Sequence, residues 1–338
     1  MFLDDIKLPD HYAALTVRSP AANGTLKGIS CPALDIHYRL IRASDIPGLN
    51  RLAGSGIPAL ASERVDYIGQ PVAIIVGPDR LRLEALAAQI TVETDTDDIN
   101  DSDAGNGDAP DSPPGPSAMA RDAETAARVM LDIEAFPKKA VPKEPKERDE
   151  TAVSAAETAV REPPPAGEAA TLSVEGRYRT GIQEHWYSEP HGAAASVSGG
   201  GVVVYAATQW PDHARRSVAA ALGLPLEAVS LEEADAALHF DGKIWYPSLV
   251  AVHAALAAFI TKKPVKLMLT RMEDFLFSPK RPETEIDFST SLDVTGEPVE
   301  TAVNIRAGFG ADGFFVSEML GVMARAAAGQ YRLGKITV

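Results

Sequence analysis

The sequence has a single cysteine, Cys31, in 338 residues, and aromatic residues make up only 6% of the chain. One cysteine cannot form an intrachain disulfide. Nor can it supply the several thiolates that a cysteine-ligated iron–sulfur cluster or structural zinc site requires. The sequence therefore excludes these sites within this chain, and any short segment rich in aromatic and polar side chains stands out.

Positive charge is also scarce. Lys and Arg total 32 against 47 Asp and Glu, which gives a formal net charge of −15. This balance repels nucleic-acid phosphates and anionic membrane surfaces, and no compact Lys/Arg patch offsets it. We therefore expect a partner other than nucleic acid or membrane.

Long apolar runs are missing as well. The longest, residues 250–260, is too short to cross a bilayer and contains His253. The first residues, MFLDDIKLPDHY, are acidic where a signal peptide is positively charged, and no apolar core follows them. We therefore expect a cytoplasmic protein.

The content of hydrophobic residues, 45%, is typical of packed domains, and the pattern divides the chain into three parts. Residues 1–96 alternate strand and helix patterns and predict a small α/β domain. Residues 97–172 are rich in Pro, Gly and acidic residues and predict a linker with one possible helix at 123–136. Residues 173–338 mix strand and helix patterns, so the predicted fold class is α+β.

The predicted elements follow from periodicity and from turn residues. Strand patterns lie at 12–20, 34–48, 67–79, 90–95, 173–180, 201–208, 228–234, 264–270, 283–294 and 299–310, and helix patterns lie at 80–90, 213–225, 247–263 and 316–329.

The segment GIQEHWYSEPH, residues 181–191, concentrates polar and aromatic side chains. It has three interpretations: a metal site, a polar strand, or one wall of a cofactor pocket. His185 and His191 are separated by a proline, so they cannot form the helical His pair of zinc peptidases, and we assign no metal ligand here. In a strand, alternate residues would share one face; these are Gln183, His185, Tyr187 and Glu189.

Several motifs occur in an order that resembles the molybdopterin-binding subunit of the xanthine dehydrogenase/aldehyde oxidase family. They are VEGRYRTGIQEHWYSEPHGAAASV, VVYAATQWPDHARRSVAAALGLP, FDGK and KKPVKLMLTRMEDFLFSPKR. Residues 1–96 resemble that family's α/β hammerhead domain through DDIKLPDHYAALTVRSP, ASDIPGLN and VDYIGQPVAIIVGPD. The resemblance implies a hammerhead domain at 1–96, a linker at 97–172 and an incomplete mixed α/β molybdopterin-binding domain at 173–338.

The resemblance also implies roles for the polar segment. Gln183 corresponds to the glutamine that contacts the oxo edge of the molybdenum centre, which makes it the candidate catalytic and cofactor-binding residue. A neutral amide suits this contact because it can donate a hydrogen bond to an oxo group without titrating. His185, Tyr187 and Glu189 would lie behind Gln183 and orient its amide.

The family's glycine-rich loop corresponds to ALHFDGK, residues 237–243. Phe240, Gly242 and Lys243 match the family and are the other cofactor-binding candidates. Where φ is positive, a Cβ costs about 1–2 kcal/mol, and an acidic side chain repels the cofactor's phosphate. Molybdopterin is therefore the expected cofactor, but this loop argues against its standard pose. The residues that replace glycine are Ala237, Leu238, His239 and Asp241.

The resemblance implies part of a molybdenum-dependent hydroxylase that oxidises aldehydes or N-heterocycles. Ile244 stands where purine-oxidising members carry glutamate, which disfavours purines. Family subunits continue beyond the part that matches residues 331–338, and the continuation carries the catalytic glutamate. We therefore expect a second molybdopterin-subunit chain, an iron–sulfur subunit and a flavin subunit as partners. The alternative, which the altered loop favours, is a non-catalytic scaffold that retains the fold.

Overall fold

The computed structural model describes residues 2–95, 132–133, 172–235, 239–311, 314–327, 329 and 336–337. The predicted linker and its possible helix at 123–136 lie outside these residues except for 132–133 and 172. The chain forms two compact units. One combines Met1–Pro113 with Ile182–Arg281, and the other combines Pro114–Gly181 with Pro282–Val338.

The strands of the described residues are β1 (Tyr12–Arg18), β2 (Gly24–Ser30), β3 (Arg39–Arg42), β4 (Arg64–Val65), β5 (Pro71–Gly77), β6 (Thr91–Asp95), β7 (Asp132–Ile133), β8 (Leu172–Thr180), β9 (Gly192–Ser198), β10 (Gly201–Ala206), β11 (Val229–Glu233), β12 (Val265–Met268), β13 (Glu283–Leu292), β14 (Pro298–Gly308) and β15 (Ile336–Thr337). The helices are α1 (Arg80–Ala87), α2 (Pro211–Leu222), α3 (Tyr246–Thr261), α4 (Arg271–Phe277) and α5 (Val316–Ala327).

A seven-stranded mixed sheet in the order β11-β10-β9-β12-β1-β5-β3 forms the centre of the first unit. Strand β1 pairs in parallel with β12 and antiparallel with β5, so one sheet joins strands from both sides of the predicted linker. Every residue of β5 is buried, as its continuous run of Val, Ile and Ala predicts. The division at 96 and 172 stays a prediction.

Helix α3 packs on β9, β10 and β12 and against α2. It is apolar nearly all round, and its residues 246–258 are all buried, as expected of a helix inside a core. A smaller sheet, β4-β2-β6, lies in the same unit. The loops that follow β10 and precede α3, where the candidate site lies, connect elements of this core.

The short helix α4 begins with a capping box that the sequence analysis missed. The Glu273 amide donates to the Thr270 hydroxyl at 3.1 Å, and the Thr270 amide donates to the Glu273 carboxylate at 2.7 Å. The pattern Thr-x-x-Glu in LTRMED is the signal for this start. The helix places Asp274 inside the protein, where 1% of its surface is exposed.

The second unit contains the antiparallel sheet β14-β13-β8 and helix α5. Phe288 of β13 lies opposite Gly176 of β8, and a Cβ on Gly176 would come within 2.4 Å of the Phe288 ring. The glycine therefore lets this ring cover the sheet and stack with Tyr178 at 5.8 Å between ring centroids. The strands β15 and β7 form a separate pair.

The α+β fold class is confirmed, and most predicted strands and helices are present with shifted ends. Strands β2, β4, β7, β9 and β15 and helix α4 had no predicted counterpart, and β7 lies in the segment 123–136 that was predicted as a possible helix. No helix in the described part of the chain combines the length and apolar character needed to span a bilayer.

Candidate functional site

The polar segment at 181–191 is not a strand, so the predicted shared face of alternating residues is wrong. Trp186 adopts φ 61°, in the left-handed region, which breaks the alternation of side chains. Tyr187 and Glu189 are buried, whereas Gln183 is exposed. Gln183 is the residue of this segment that forms a β-bridge with another part of the chain.

The partner in that bridge is Arg281, which holds both the backbone and the side chain of Gln183. The Gln183 amide donates to the Arg281 carbonyl at 3.2 Å, and the Arg281 amide donates back at 3.0 Å. The Arg281 guanidinium also donates to Gln183 Oε1 at 2.8 Å. Because a guanidinium only donates, Gln183 must turn its oxygen to Arg281 and its NH₂ group away from it.

His185 connects this segment to the loop at 239–243. Its Nδ1 lies 2.8 Å from the Phe240 carbonyl, which can only accept, so Nδ1 carries a proton. Gly242 makes the approach possible. A Cβ there would lie 2.5 Å from the Tyr187 ring and 2.8 Å from the His185 Cβ. The fold therefore brings together the two motifs on which the resemblance depends.

The loop at 239–243 has a backbone conformation typical of glycine at two positions that are not glycine. Phe240 has φ 43° and Asp241 has φ 62°, both in the left-handed region that disfavours a Cβ. His239 closes a tight turn, since its carbonyl accepts from the Gly242 amide at 2.8 Å and its Nδ1 accepts from the Asp241 amide at 3.2 Å. Ala237 and Leu238 lie outside the described residues.

Gln209, which the sequence analysis did not single out, clamps this loop. Its side-chain oxygen accepts from the Lys243 amide at 3.0 Å, and its backbone amide donates to the Lys243 carbonyl at 2.7 Å. Its Nε2 donates to Asp241 Oδ1 at 3.0 Å. The sequence feature that could have identified Gln209 is its position in VVYAATQWPDH, one of the motifs that resemble the family.

A buried network lies beneath the loop. The Tyr187 hydroxyl donates to Asp274 Oδ1 at 2.5 Å, and His191 Nδ1 lies 2.9 Å from the same oxygen. The His191 backbone amide donates to Asp274 Oδ2 at 2.7 Å, and His191 Nε2 lies 3.2 Å from the Gly242 carbonyl. Through His191, the carboxylate of α4 thus supports the glycine of the loop.

The network keeps Asp274 ionised. Burial alone would raise the pKa of Asp274, but hydrogen bonds and the charge interaction with His191, together with the Tyr187 hydrogen bond, lower it below its ordinary value. Burial and the nearby carboxylate raise the pKa of Tyr187, so its hydroxyl stays protonated. Burial lowers the pKa of His191, and the hydrogen bond and charge of Asp274 partly offset this shift.

Lys243 and Glu189 form a second buried pair. Lys243 Nζ lies 3.8 Å from Glu189 Oε2 and 5.3 Å from the centre of the Tyr187 ring. Neither Nζ nor Oε2 makes a hydrogen bond with the described residues. Burial lowers the pKa of Lys243, and the charge of Glu189 opposes that shift. The matched lysine of the loop is thus fully buried, with its ammonium group facing protein.

In the described residues, the orientation of Gln183 comes from Arg281. His185 contacts the Phe240 carbonyl, Tyr187 belongs to the Asp274 network, and Glu189 Oε1 accepts from the Asp4 amide at 3.1 Å. That His185, Tyr187 and Glu189 orient the Gln183 amide stays a prediction. No cluster of three or more His, Cys, Asp or Glu side chains suited to a metal ion occurs among the described residues.

The molybdopterin cofactor-binding domain model matches residues 149–338, more than half of the chain. The chain belongs to this family. The expectation from the motifs is therefore confirmed.

Curated relatives of this chain include aldehyde oxidase 2 of Rattus norvegicus, 28% identical over 137 residues, which are 39% of this chain and 10% of the relative. Xanthine dehydrogenase 1 of Arabidopsis thaliana is 32% identical over 110 residues, 32% of this chain and 8% of the relative. The matches thus span about a tenth of these relatives.

Solved structures share the fold at low identity. An aldehyde oxidoreductase from Desulfovibrio desulfuricans has a TM-score of 0.68 and 15% identity, and the match covers 98% of this chain and 35% of that one. Quinoline 2-oxidoreductase from Pseudomonas putida 86 has a TM-score of 0.63 and 20% identity, covering 90% of this chain and 36% of that one. The chain spans about a third of these proteins.

The residues fit molybdopterin on one side. The exposed Gln183 turns its NH₂ group away from Arg281, which suits a contact with an oxo oxygen. The loop fits less well, because His239 and Asp241 each carry a side chain where the family motif has glycine. Asp241 also adds a carboxylate. The residues therefore support a contact between Gln183 and an oxo oxygen of the cofactor, and they do not support the usual contacts of the loop.

Proposed function

We propose that this chain forms one part of the active site of a molybdenum-dependent hydroxylase that acts on aldehydes or N-heterocycles. Gln183 would be the catalytic residue of this part, because its amide NH₂ group could donate to an oxo oxygen of the cofactor. The observation that carries the proposal is the Arg281 contact at 2.8 Å, which fixes the donor end of the Gln183 amide. The names of the relatives, aldehyde oxidases and a quinoline oxidoreductase, support these substrate classes.

When bound, the molybdenum cofactor would supply the redox chemistry and acidify a coordinated water. The residues of this chain hold the donor in place. Gln183 stays neutral over the whole pH range, so its contact does not depend on protonation. The His185 hydrogen bond to the Phe240 carbonyl fixes the Gln183 segment against the loop. In the loop, the exposed Phe240 would face the cofactor, and the buried Gly242 and Lys243 would hold the loop in place from behind.

We propose that partner polypeptides supply the rest of the site. This chain matches about a third of the solved structures with the same fold, and its single cysteine cannot hold an iron–sulfur cluster. We infer that a second molybdopterin-subunit chain completes the cavity and that iron–sulfur and flavin subunits accept the electrons.

One observation favours a second candidate function, a scaffold that retains the fold without catalysis. Asp241 has a positive φ although it replaces a glycine of the family motif, and its carboxylate would repel a phosphate-bearing cofactor. In a scaffold these features would carry no penalty for activity.

The experiment is to purify the protein with its native partners and to measure molybdenum per chain by mass spectrometry. We expect about one molybdenum per chain and hydroxylation of an aldehyde or N-heterocycle. Gln183→Leu should lower kcat by about 100-fold or more, as loss of one positioned donor does, and should leave the molybdenum content unchanged. Arg177→Leu, on the exposed β8, serves as the control. Metal-free protein in the complete complex would support the scaffold instead.

A further inference from the structure

Two consecutive cationic residues, Lys280 and Arg281, face two consecutive residues of the candidate site. Arg281 lies opposite Gln183 in the isolated β-bridge. Lys280 Nζ lies 2.9 Å from Glu184 Oε2, and each of these two side chains is 19% exposed. Arg281 thus holds Gln183 directly, and Lys280 holds the residue that follows it.

Lys280 is itself fixed by the end of α4. Its Nζ donates to the Asp274 carbonyl at 3.0 Å, to the Ser278 carbonyl at 2.9 Å and to the Ser278 hydroxyl at 2.7 Å. These contacts use all three protons of the ammonium group. A cation is also favourable beside the carbonyls at the end of a helix. The positive charge next to Glu184 therefore cannot move away without the loss of three hydrogen bonds.

The Glu184 carboxylate is held from two sides. Its Oε1 accepts from the His185 backbone amide at 3.0 Å, and its Oε2 is buried beside Lys280 Nζ. Removal of one partner of a buried ion pair is costly, because the other charge then has neither its partner nor its hydration. Without Lys280, the carboxylate would have to turn toward water, and the backbone of Glu184 would move with it.

A movement of Glu184 would reach the donor amide of the candidate site, because Glu184 lies between Gln183 and His185 in the chain. Two backbone hydrogen bonds and one side-chain hydrogen bond join Gln183 to Arg281. On the other side, His185 Nδ1 donates to the Phe240 carbonyl. The orientation of Glu184 therefore affects both contacts, although Lys280 touches neither of them.

We propose that Lys280 is a positioning residue for Gln183 and that it acts through the carboxylate of Glu184. Its effect on turnover rests on the proposed function. Its effect on the conformation of residues 181–185 does not, so that effect can be measured in the free chain. In the competing explanation, Lys280 stabilises the end of α4 and its ion pair with Glu184 has no consequence.

The first experiment measures hydrogen exchange by mass spectrometry in the full chain, over residues 181–185 and 271–278. We expect Lys280→Met to raise the exchange rate of both segments, by about 10-fold at 181–185. In the double variant Lys280→Met/Glu184→Gln, the buried charge is gone as well. Its exchange at 181–185 should return close to that of the wild type, while exchange at 271–278 stays raised.

Two further variants serve as controls. Lys280→Arg retains the positive charge and should exchange nearly like the wild type at 181–185. Lys27→Met breaks the ion pair between Lys27 and Asp95, which are 3.2 Å apart with side chains 55% and 72% exposed, and should leave both segments unchanged. Thermal unfolding checks that each variant folds. If Lys280→Met does not fold, Lys280→Gln and its double variant with Glu184→Gln replace it.

The second experiment measures turnover in the complex purified with its native partners. We expect Lys280→Met to lower kcat by about 10-fold with little change in KM, because the donor amide is misplaced while the substrate still binds. Adding Glu184→Gln should restore most of this loss. A wild-type complex without hydroxylase activity would refute the proposed function, and the exchange measurements would still decide the role of Lys280.

Wild-type exchange of residues 181–185 in Lys280→Met would overturn the positioning proposal. A double variant that exchanges as fast as Lys280→Met at 181–185 would also overturn it, because Lys280 would then act through α4 and not through Glu184. In an active complex, a kcat of Lys280→Met equal to that of the wild type would refute its role in turnover.

Discussion

At the scale of single residues, Gly242 is the position where one added carbon matters most. Its Cα faces the Tyr187 ring and the His185 Cβ, and an added Cβ would come within 2.5 Å and 2.8 Å of them. Neither neighbour can move easily, because Tyr187 is tied to Asp274 and His185 to Phe240. We expect Gly242→Ala to destabilise the protein by about 1–3 kcal/mol, measured by urea unfolding.

The control for this change is Gly54→Ala. Gly54 also lies in a loop, but it has open space around it and a positive φ. The Gly54→Ala variant therefore measures only the cost of the backbone conformation, without a steric clash. Gly54→Ala should cost about 1 kcal/mol. A Gly242→Ala variant that is as stable as wild type would show that the packing of the loop on Tyr187 is not tight.

At the scale of elements, α4 depends on its capping box. Thr270→Ala removes the hydroxyl that accepts from the Glu273 amide, and we expect a loss of about 1 kcal/mol in the stability of this helix. Because α4 carries Asp274, the amide of His191 should exchange its hydrogen faster too. Hydrogen exchange followed by mass spectrometry over residues 271–277 and around His191 measures both effects.

Thr270→Ser retains a capping hydroxyl and should exchange like wild type. If Thr270→Ala also left the exchange of α4 unchanged, tertiary packing rather than the cap would set the stability of this helix.

The same elements show how far the sequence could predict the fold. Strand β5 and helix α3 were predictable because their apolar runs have the length of a buried strand and of a buried helix. Strand β9, GAAASVS, has no alternating pattern. It is a strand because β10 and β12 pair with it on both sides. Helix α4 has a local signal, Thr-x-x-Glu, but its seven residues are too few for a clear period.

The candidate site was predictable in its motifs and not in its contacts. The order of the motifs indicated that Gln183 and the loop at 239–243 belong together. The partner of Gln183 is Arg281, 98 residues away, and the partner of His191 is Asp274, 83 residues away. Neither pairing leaves a local pattern. The positive φ of Trp186, which ends the strand alternation, leaves no local pattern in the sequence either.

At the scale of the whole molecule, His253 links distant parts of the first unit. It projects from α3, its Nε2 donates to the Ala59 carbonyl at 2.8 Å, and its Nδ1 lies 3.3 Å from the Thr16 hydroxyl of β1. Burial lowers the pKa of His253 to about 4, from 6.5. The folded protein therefore holds this imidazole neutral where the unfolded chain would protonate it.

The sign of the pH effect follows from this difference. Above pH 6.5 His253 is neutral in both states, and the stability it contributes is fully present. As the pH falls from 6.5 to about 4, the unfolded state binds a proton that the folded state does not, so folding loses about 3 kcal/mol. We expect the urea midpoint of the first unit to fall across this range.

His253→Gln isolates this contribution, because a glutamine amide can still donate to the Ala59 carbonyl but does not titrate. Burial lowers the pKa values of His191 and His213 too, so the wild type and the variant should both lose stability with acid. The wild type should lose more, by about 3 kcal/mol between pH 6.5 and 4. Equal losses in both proteins would mean that His253 is protonated in the fold, and that the contact between α3 and the loop at Ala59 does not require a neutral ring.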